Sequence, residues 1–401
     1  MRHFIAISLV AAAAVVTLAA QTRYLPDAPG TWKPWRFTAD GDPRRLLGAR
    51  PADVKELEAQ LLRLNAILKK TDGFTNPIGF SVETTGDLYL EPDRPGAGAG
   101  VPALTRRPLP AVLNFGAYPV TEFGTGASAR RDDRGETAQL LFFVNQLSQP
   151  LFDTPGHEVP EFDALDTDVA RLPPPQPDVL GLPRYGDTLV LKKSPQPIWA
   201  ALTFAEALEL VSRGVDQRLT RERDAVARLQ AAYDEMKDPK KREERLAEYR
   251  KLAPLQKDPA YVEKMTKMEA AKEKQADTLL PQIAAAKAVV IKSEQELAAA
   301  RATSEGLSAP DKAAPACYAS ADRVSLSRFR RVPASGCEPL VRPNWKLFNP
   351  ALPRSAPQLL TIGHFTECLG SAPRFIHVGG CVANKRLIES IDKTALLAWL
   401  Q

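Results

Sequence analysis

Beyond residue 50 the hydrophobic positions fall at helical spacing, with Val54, Leu57, Leu61, Leu64 and Leu68 three or four residues apart. They place one apolar stripe along a helix reaching about Lys70. Pro51 suits the first helical turn, Asp53 and Glu56 suit its positive end, and Gly73 with Asn76-Pro77 stops it. The pattern then turns to β-branched, aromatic and alternating residues at 78–90, 111–123, 136–147 and 187–192. One helix followed by four or five strands predicts an antiparallel sheet with a helix across one face. The linkers are polar: Gly96, Gly98 and Gly100 alternate with alanine, and 130–135 reads as the turn of a hairpin.

A second helical pattern opens at Thr203, which stands three residues before Glu206 as in a capping box. Phe204, Leu208, Val211, Val215, Leu219, Val226, Leu229, Tyr233 and Met236 mark one stripe, and Tyr261, Met265, Met268, Leu279, Ile283, Val290 and Leu297 mark another. Lys-Asp-Pro occurs at 237–239 and again at 257–259, where aspartate can cap while proline takes the first helical position. At about 1.5 Å per residue, 203–236 runs about 50 Å and 259–304 about 70 Å, so the stripes predict two long arms joined by a short helix. Pro281 is expected to kink the return arm, because it lacks the N–H that would bond residue 277.

Around these patterns lie segments with no clear period. Residues 21–50 interleave Tyr24, Trp32, Trp35 and Phe37 with prolines and read as an extended arm packed on its own domain. Past Gly306 the chain is mixed, with strand-like residues at 358–366 and 374–378 and a final helix through 396–400. The fold class is therefore α+β: a helix packed on an antiparallel sheet, with a long antiparallel helical hairpin inserted before a small disulfide-containing C-terminal α+β segment. The divisions are 1–20 (signal segment), 21–50 (arm), 51–195 (α+β domain), 196–306 (helical stalk) and 307–401, the last docking on the α+β body.

The first division sets the compartment. Arg2 precedes an uncharged run, 4–20, ending in small residues before Gln21. That is the layout of a secretory signal, with cleavage after Ala19 or Ala20, and no second apolar run long enough to span a bilayer follows. The expectation is a periplasmic or secreted protein with no integral membrane span after cleavage. Cysteine placement agrees with export: Cys317, Cys337, Cys368 and Cys381 are an even number confined to the C-terminal part of the chain. Two disulfides are expected. Of three connectivities the sequential one is favoured, Cys317 with Cys337 and Cys368 with Cys381.

Composition adds two constraints. Thirty-five prolines in 401 residues exceed the usual one in about twenty, which predicts many extended connections. The formal charge of +5 comes from 53 basic and 48 acidic residues interleaved throughout. No basic patch is dense enough to neutralise several phosphates, so nucleic acid is not expected as a partner.

Candidate chemistry is sparse. His364-x3-Cys368 and His377-x3-Cys381 carry the donor types of a zinc site. Thiols in an oxidising space pair off, however, and Gly379-Gly380 disfavours a helix presenting both ligands, so disulfides are expected and neither metal nor cofactor. Ser390-x-x-Lys393 is too short a pattern, and too near the end, to predict a nucleophile. Asp163, Asp166 and Asp168, with Glu158 and Glu161, lack calcium-loop spacing and read as a solvated acidic loop. His157 reads as a turn residue, and the glycines at 96, 98 and 100 as a loop. These readings favour a non-enzymatic exported protein of the bacterial envelope that binds or organises a partner, a protein or envelope component, through body and stalk. Two alternatives are a secreted hydrolase or carbohydrate-active enzyme using loop carboxylates, and a periplasmic chaperone-like protein holding clients with its hairpin.

Overall fold

The computed structural model describes residues 22–39, 41–89, 102–123, 130–133, 138–147, 159, 168–172, 175–179, 181–186, 188–256, 258–319, 329–332, 336–363 and 378–401. The expected signal segment, His157, the glycine linker at 96–100, His364, Cys368 and His377 lie outside these residues. The chain is mixed helix and sheet and divides into two units: Met1–Glu158 with Ala170–Ala200 and Val341–Gln401, and Val159–Val169 with Ala201–Leu340. Three strands lie on the chain's crossings between units: β8 (Ala170–Arg171), β12 (Trp199–Ala201) and β15 (Cys337–Pro343).

The first unit is built on an eight-stranded sheet. In spatial order its strands are β2 (Arg36–Thr38), β3 (Phe80–Leu88), β4 (Ala111–Pro119), β7 (Ala138–Val144), β16 (Leu359–Gly363), β11 (Thr188–Lys192), β10 (Leu182–Tyr185) and β9 (Pro175–Val179). Every pairing is antiparallel except β2 with β3. A smaller sheet joins β1 (Thr22–Tyr24), β5 (Thr121–Phe123) and β6 (Arg130–Asp132). The stretch read as an extended arm thus supplies β1, the edge strand β2 and a short helix, α1 (Asp42–Leu46), while Trp32, Trp35 and Phe37 pack against the core.

Helix α2 (Pro51–Lys70) keeps the limits its spacing predicts. Leu57, Leu61, Leu64 and Leu68 are fully buried in one cluster with Val82, Leu113, Phe115, Leu140, Phe142, Leu360 and Ile362, which alternate along their strands and so share one sheet face. Two further helices, α8 (Val378–Ser390) and α9 (Lys393–Trp399), add Leu387, Leu396 and Trp399 to the same cluster. Sequence reading missed α8, because Gly379-Gly380 reads as a breaker and 374–378 as a strand. Val378 in fact opens the helix.

The second unit is mostly helical, with α3 (Phe204–Lys237), α4 (Pro239–Leu252), α5 (Tyr261–Ala276), α6 (Leu279–Glu305) and the short α7 (Ala309–Ala313). The Thr203 hydroxyl accepts the Glu206 N–H at 3.3 Å, and the Glu206 carboxylate accepts the Thr203 N–H at 2.9 Å, which closes the capping box. Asp238 accepts from the N–H groups of Lys240 and Lys241, with Pro239 in the first position of α4. Pro281 does more than bend a continuous helix: α5 stops at Ala276 and α6 restarts at Leu279, placing the proline in the first turn, where its missing N–H leaves no bond unmade.

Helix α6 is the main partner of α3. Their ion pairs, Arg218 to Glu296 and Arg223 to Glu294, descend α6 as they ascend α3, so the two run antiparallel. The apolar core of this unit joins Phe204, Leu208, Val211, Val215 and Leu219 to Leu297, Tyr318, Phe329 and Leu340. It reaches β13 (Ala316–Ala319) and β14 (Phe329–Arg331), where β13 pairs antiparallel with both β14 and β15. Past Leu219 the predicted stripe is only half-buried: Val226, Leu229, Tyr233 and Met236 all keep partial exposure. Among the described residues no helix is long and apolar enough to cross a membrane.

Candidate functional site

Register brings two distant loops to one end of the large sheet. Val144, the last residue of β7, pairs with Ala111 at the start of β4 and with Leu360 near the start of β16. Because β4 and β16 flank β7 and both run against it, the segments leading into them meet beyond Val144. Asn145 sits there with φ of 58°, a left-handed conformation that asparagine tolerates better than branched residues. Its side-chain amide donates to the carbonyls of Leu109 and Ala356 at 3.3 and 2.9 Å, and its oxygen accepts the Gln358 N–H at 2.8 Å. One buried side chain therefore ties the approach to β4 to the approach to β16.

Arg354 makes a second tie. Its guanidinium donates to the carbonyls of Arg107 at 2.7 Å, Leu47 at 2.9 Å and Leu104 at 3.1 Å, and its own carbonyl accepts the Leu109 N–H at 2.7 Å. Burial pulls this guanidinium below the usual arginine range, opposed by the charge of Asp53 and assisted by that of Arg50.

Between the tied loops lies a cleft of about 530 Å³, within the range of small-molecule sites. Trp345 and Phe348, 5.9 Å apart between ring centroids, form an aromatic wall, and Pro102, Pro108, Pro350 and Pro353 add apolar surface. Arg107, 6% exposed, stacks its guanidinium 4.4 Å from the Trp345 ring centroid and donates to the Pro102 carbonyl at 2.7 Å. Gln358, also buried, accepts the Asn349 N–H at 2.6 Å. Arg106 and Lys346 stand exposed at the rim. Among the described residues four cationic side chains and no carboxylate line the cleft, an arrangement suited to holding negative charge beside an apolar group.

The residues singled out in the sequence lie elsewhere. Cys317 and Cys337 form a disulfide across the paired strands β13 and β15, with Cα atoms 5.5 Å apart. Cys368 and the side chain of Cys381 fall outside the described residues, as do His364 and His377. Of the acidic loop only Asp168 is described, and it is buried. The Ser390 hydroxyl donates to the Arg386 carbonyl one turn back along α8, at 2.7 Å. Among the described residues no group of three His, Cys, Asp or Glu side chains is placed to hold a metal ion.

The second unit holds a buried carboxylate on α5. Glu269, 1% exposed, accepts from Arg245 at 2.9 Å, Lys272 at 2.9 Å and the Tyr249 hydroxyl at 3.2 Å. Burial pushes its pKa up, but the hydrogen bonds and charges of Lys272 and Arg245 outweigh burial and hold the carboxyl below its ordinary value.

Sequence reasoning missed the cleft altogether. Arg106-Arg107 and Pro343-Asn344-Trp345 carry no periodic signal, and their wide separation along the chain hides their proximity. The chain matches no family model, no curated protein and no solved structure.

Proposed function

We propose that this is an exported, non-enzymatic protein of the bacterial envelope that binds or organises a protein or envelope partner, using an α+β body and a helical stalk formed by α3 to α6. The observation that carries the reading is where unit 2 leaves apolar surface open. Among its described residues, five of six exposed large hydrophobics, Leu252, Leu255, Leu280, Val289 and Ile291, fall within 252–291. Leu255 is 78% exposed. Helices that leave apolar side chains on the outside suit contact with a partner better than a purely internal role. The secretory layout of 1–20 and the Cys317–Cys337 disulfide both accord with an oxidising compartment.

Photo-crosslinking in the native envelope tests this. A crosslinking residue at Leu255 is expected to capture one stoichiometric adduct, and the same residue at Leu62 on α2 is not. Equal, unspecific labelling from both positions, or recovery of the chain with Met1 in the cytoplasm, would overturn the reading.

A further inference from the structure

We infer that the cleft between the approaches to β4 and β16 is a binding site for a small organic anion, a carboxylate or phosphate group joined to an apolar ring. This goes beyond the partner-binding reading and does not depend on it, since every cleft residue belongs to the first unit.

Three features support it. The first is charge. Arg106 and Lys346 at the rim have neither an ion pair nor a side-chain hydrogen bond among the described residues, and no acid among those residues lines the cleft to neutralise them. Positive charge around a concavity focuses the field on whatever enters it. An arginine fork matches the paired oxygens of a carboxylate or phosphate.

The second feature is shape and lining. The cleft is of ligand size, and Trp345, Phe348, Leu352 and the flanking prolines give it apolar walls. Inorganic phosphate alone would leave those walls wet, whereas a ring attached to the anion would cover them. A neutral ring would leave the rim charges unused.

The third is rigidity. Asn145 and Arg354 fix both loops by side-chain hydrogen bonds to backbone, so the site is formed before any ligand arrives and little ordering cost opposes binding. Arg354 spends its donors on carbonyls and acts as a positioning residue, which leaves Arg106 and Lys346 as the groups facing the anion.

Calorimetric titration of the disulfide-intact chain with four probes tests the proposal: naphthoate, naphthyl phosphate, naphthalenemethanol and inorganic phosphate. At least one naphthyl anion is expected to bind about tenfold or more tightly than the neutral alcohol and than inorganic phosphate. The tighter of the two identifies the headgroup. Added salt should weaken that binding. The double variant Arg106→Glu with Lys346→Glu should lose about tenfold or more in affinity, with its melting transition unchanged because both side chains are exposed. Binding of the alcohol as tight as that of both anions, unchanged affinity in the folded double variant, or no heat from either anion at millimolar concentration would each overturn it. The crosslinking result at Leu255 is independent of all three outcomes.

Discussion

Helix α2 and the outer half of α3 carry the same apolar spacing and meet different surroundings. In α2 the leucines at 57, 61, 64 and 68 are completely buried. In α3 the stripe is buried from Phe204 to Leu219 and half-exposed at Val226, Leu229, Tyr233 and Met236. The difference lies in what stands opposite. A sheet several strands wide covers the whole apolar face of a helix, whereas a single antiparallel helix covers a narrow seam and leaves its flanks open to water. Ion pairs supplement the seam: Arg218 with Glu296 at 2.5 Å and Arg223 with Glu294 at 2.6 Å join α3 to α6, and Arg242 with Glu273 at 2.7 Å and Arg245 with Glu269 at 2.9 Å join α4 to α5. Periodicity thus announces that a helix has an apolar face. It does not say how well that face is covered.

Four experiments sharpen or break this contrast. The largest effect is expected from Leu64→Ala, which empties a site sealed between helix and sheet and should cost about 3 to 5 kcal/mol in denaturant unfolding of the first unit. A loss below about 1 kcal/mol would mean that the sheet does not seal α2 as described.

Replacing Cys317 and Cys337 together by Ser should cost about 3 kcal/mol, seen in unfolding of the second unit, because the crosslink restricts the unfolded chain over a separation of 20 residues. A loss no larger than that of an exposed substitution would show that the crosslink contributes nothing beyond the β13–β15 pairing.

Glu269→Gln should cost about 1 to 2 kcal/mol, less than a fully buried pair, because Arg245 and Lys272 both reach solvent once the carboxylate is gone. The same residue gives a pH signature. Its folded pKa lies below the ordinary value of 4.5, so its contribution is present above about that pH and is lost as pH falls through the folded value. The wild-type helices should therefore melt earlier on acidification from about pH 4.5 downwards, and Glu269→Gln should flatten that slope. A variant with the wild-type slope would remove Glu269 from the account.

The smallest effect is expected at Leu229→Ala, about 1 kcal/mol or less, against about 2 to 4 kcal/mol for Leu208→Ala on the same stripe. Equal losses at the two sites would erase the contrast between the inner and outer halves of α3.

Much of the local structure was legible from residue type and spacing. The limits of α2, the capping box that opens α3 and the Asp238-Pro239 start of α4 follow from hydrogen bonds and dihedral preferences acting within a turn, so a few neighbouring residues decide them. The strands at 78–90, 111–123, 136–147 and 187–192 were legible from their β-branched, aromatic and alternating residues, and among the described residues Phe80–Leu88, Ala111–Pro119, Thr121–Phe123, Ala138–Val144 and Thr188–Lys192 form strands within those spans. Helix α8 was not legible, since Gly379-Gly380 weakens the local preference for a helix that packing of Ala383, Leu387 and Ile388 on the core overrides.

By itself the sequence determined where helices start, which residues form apolar faces and which cysteines were available to pair. Tertiary structure alone decided that β16 lies between β7 and β11, that the stripe of α3 is sealed over only part of its length, and that Arg106 and Lys346 share the rim of one cleft. The reason is the range of the forces involved. Caps and periods record interactions between residues a few positions apart. Strand order, coverage of a helix face and the meeting of loops remote from one another along the chain are instead set by how the whole unit buries its apolar surface and pairs its backbone.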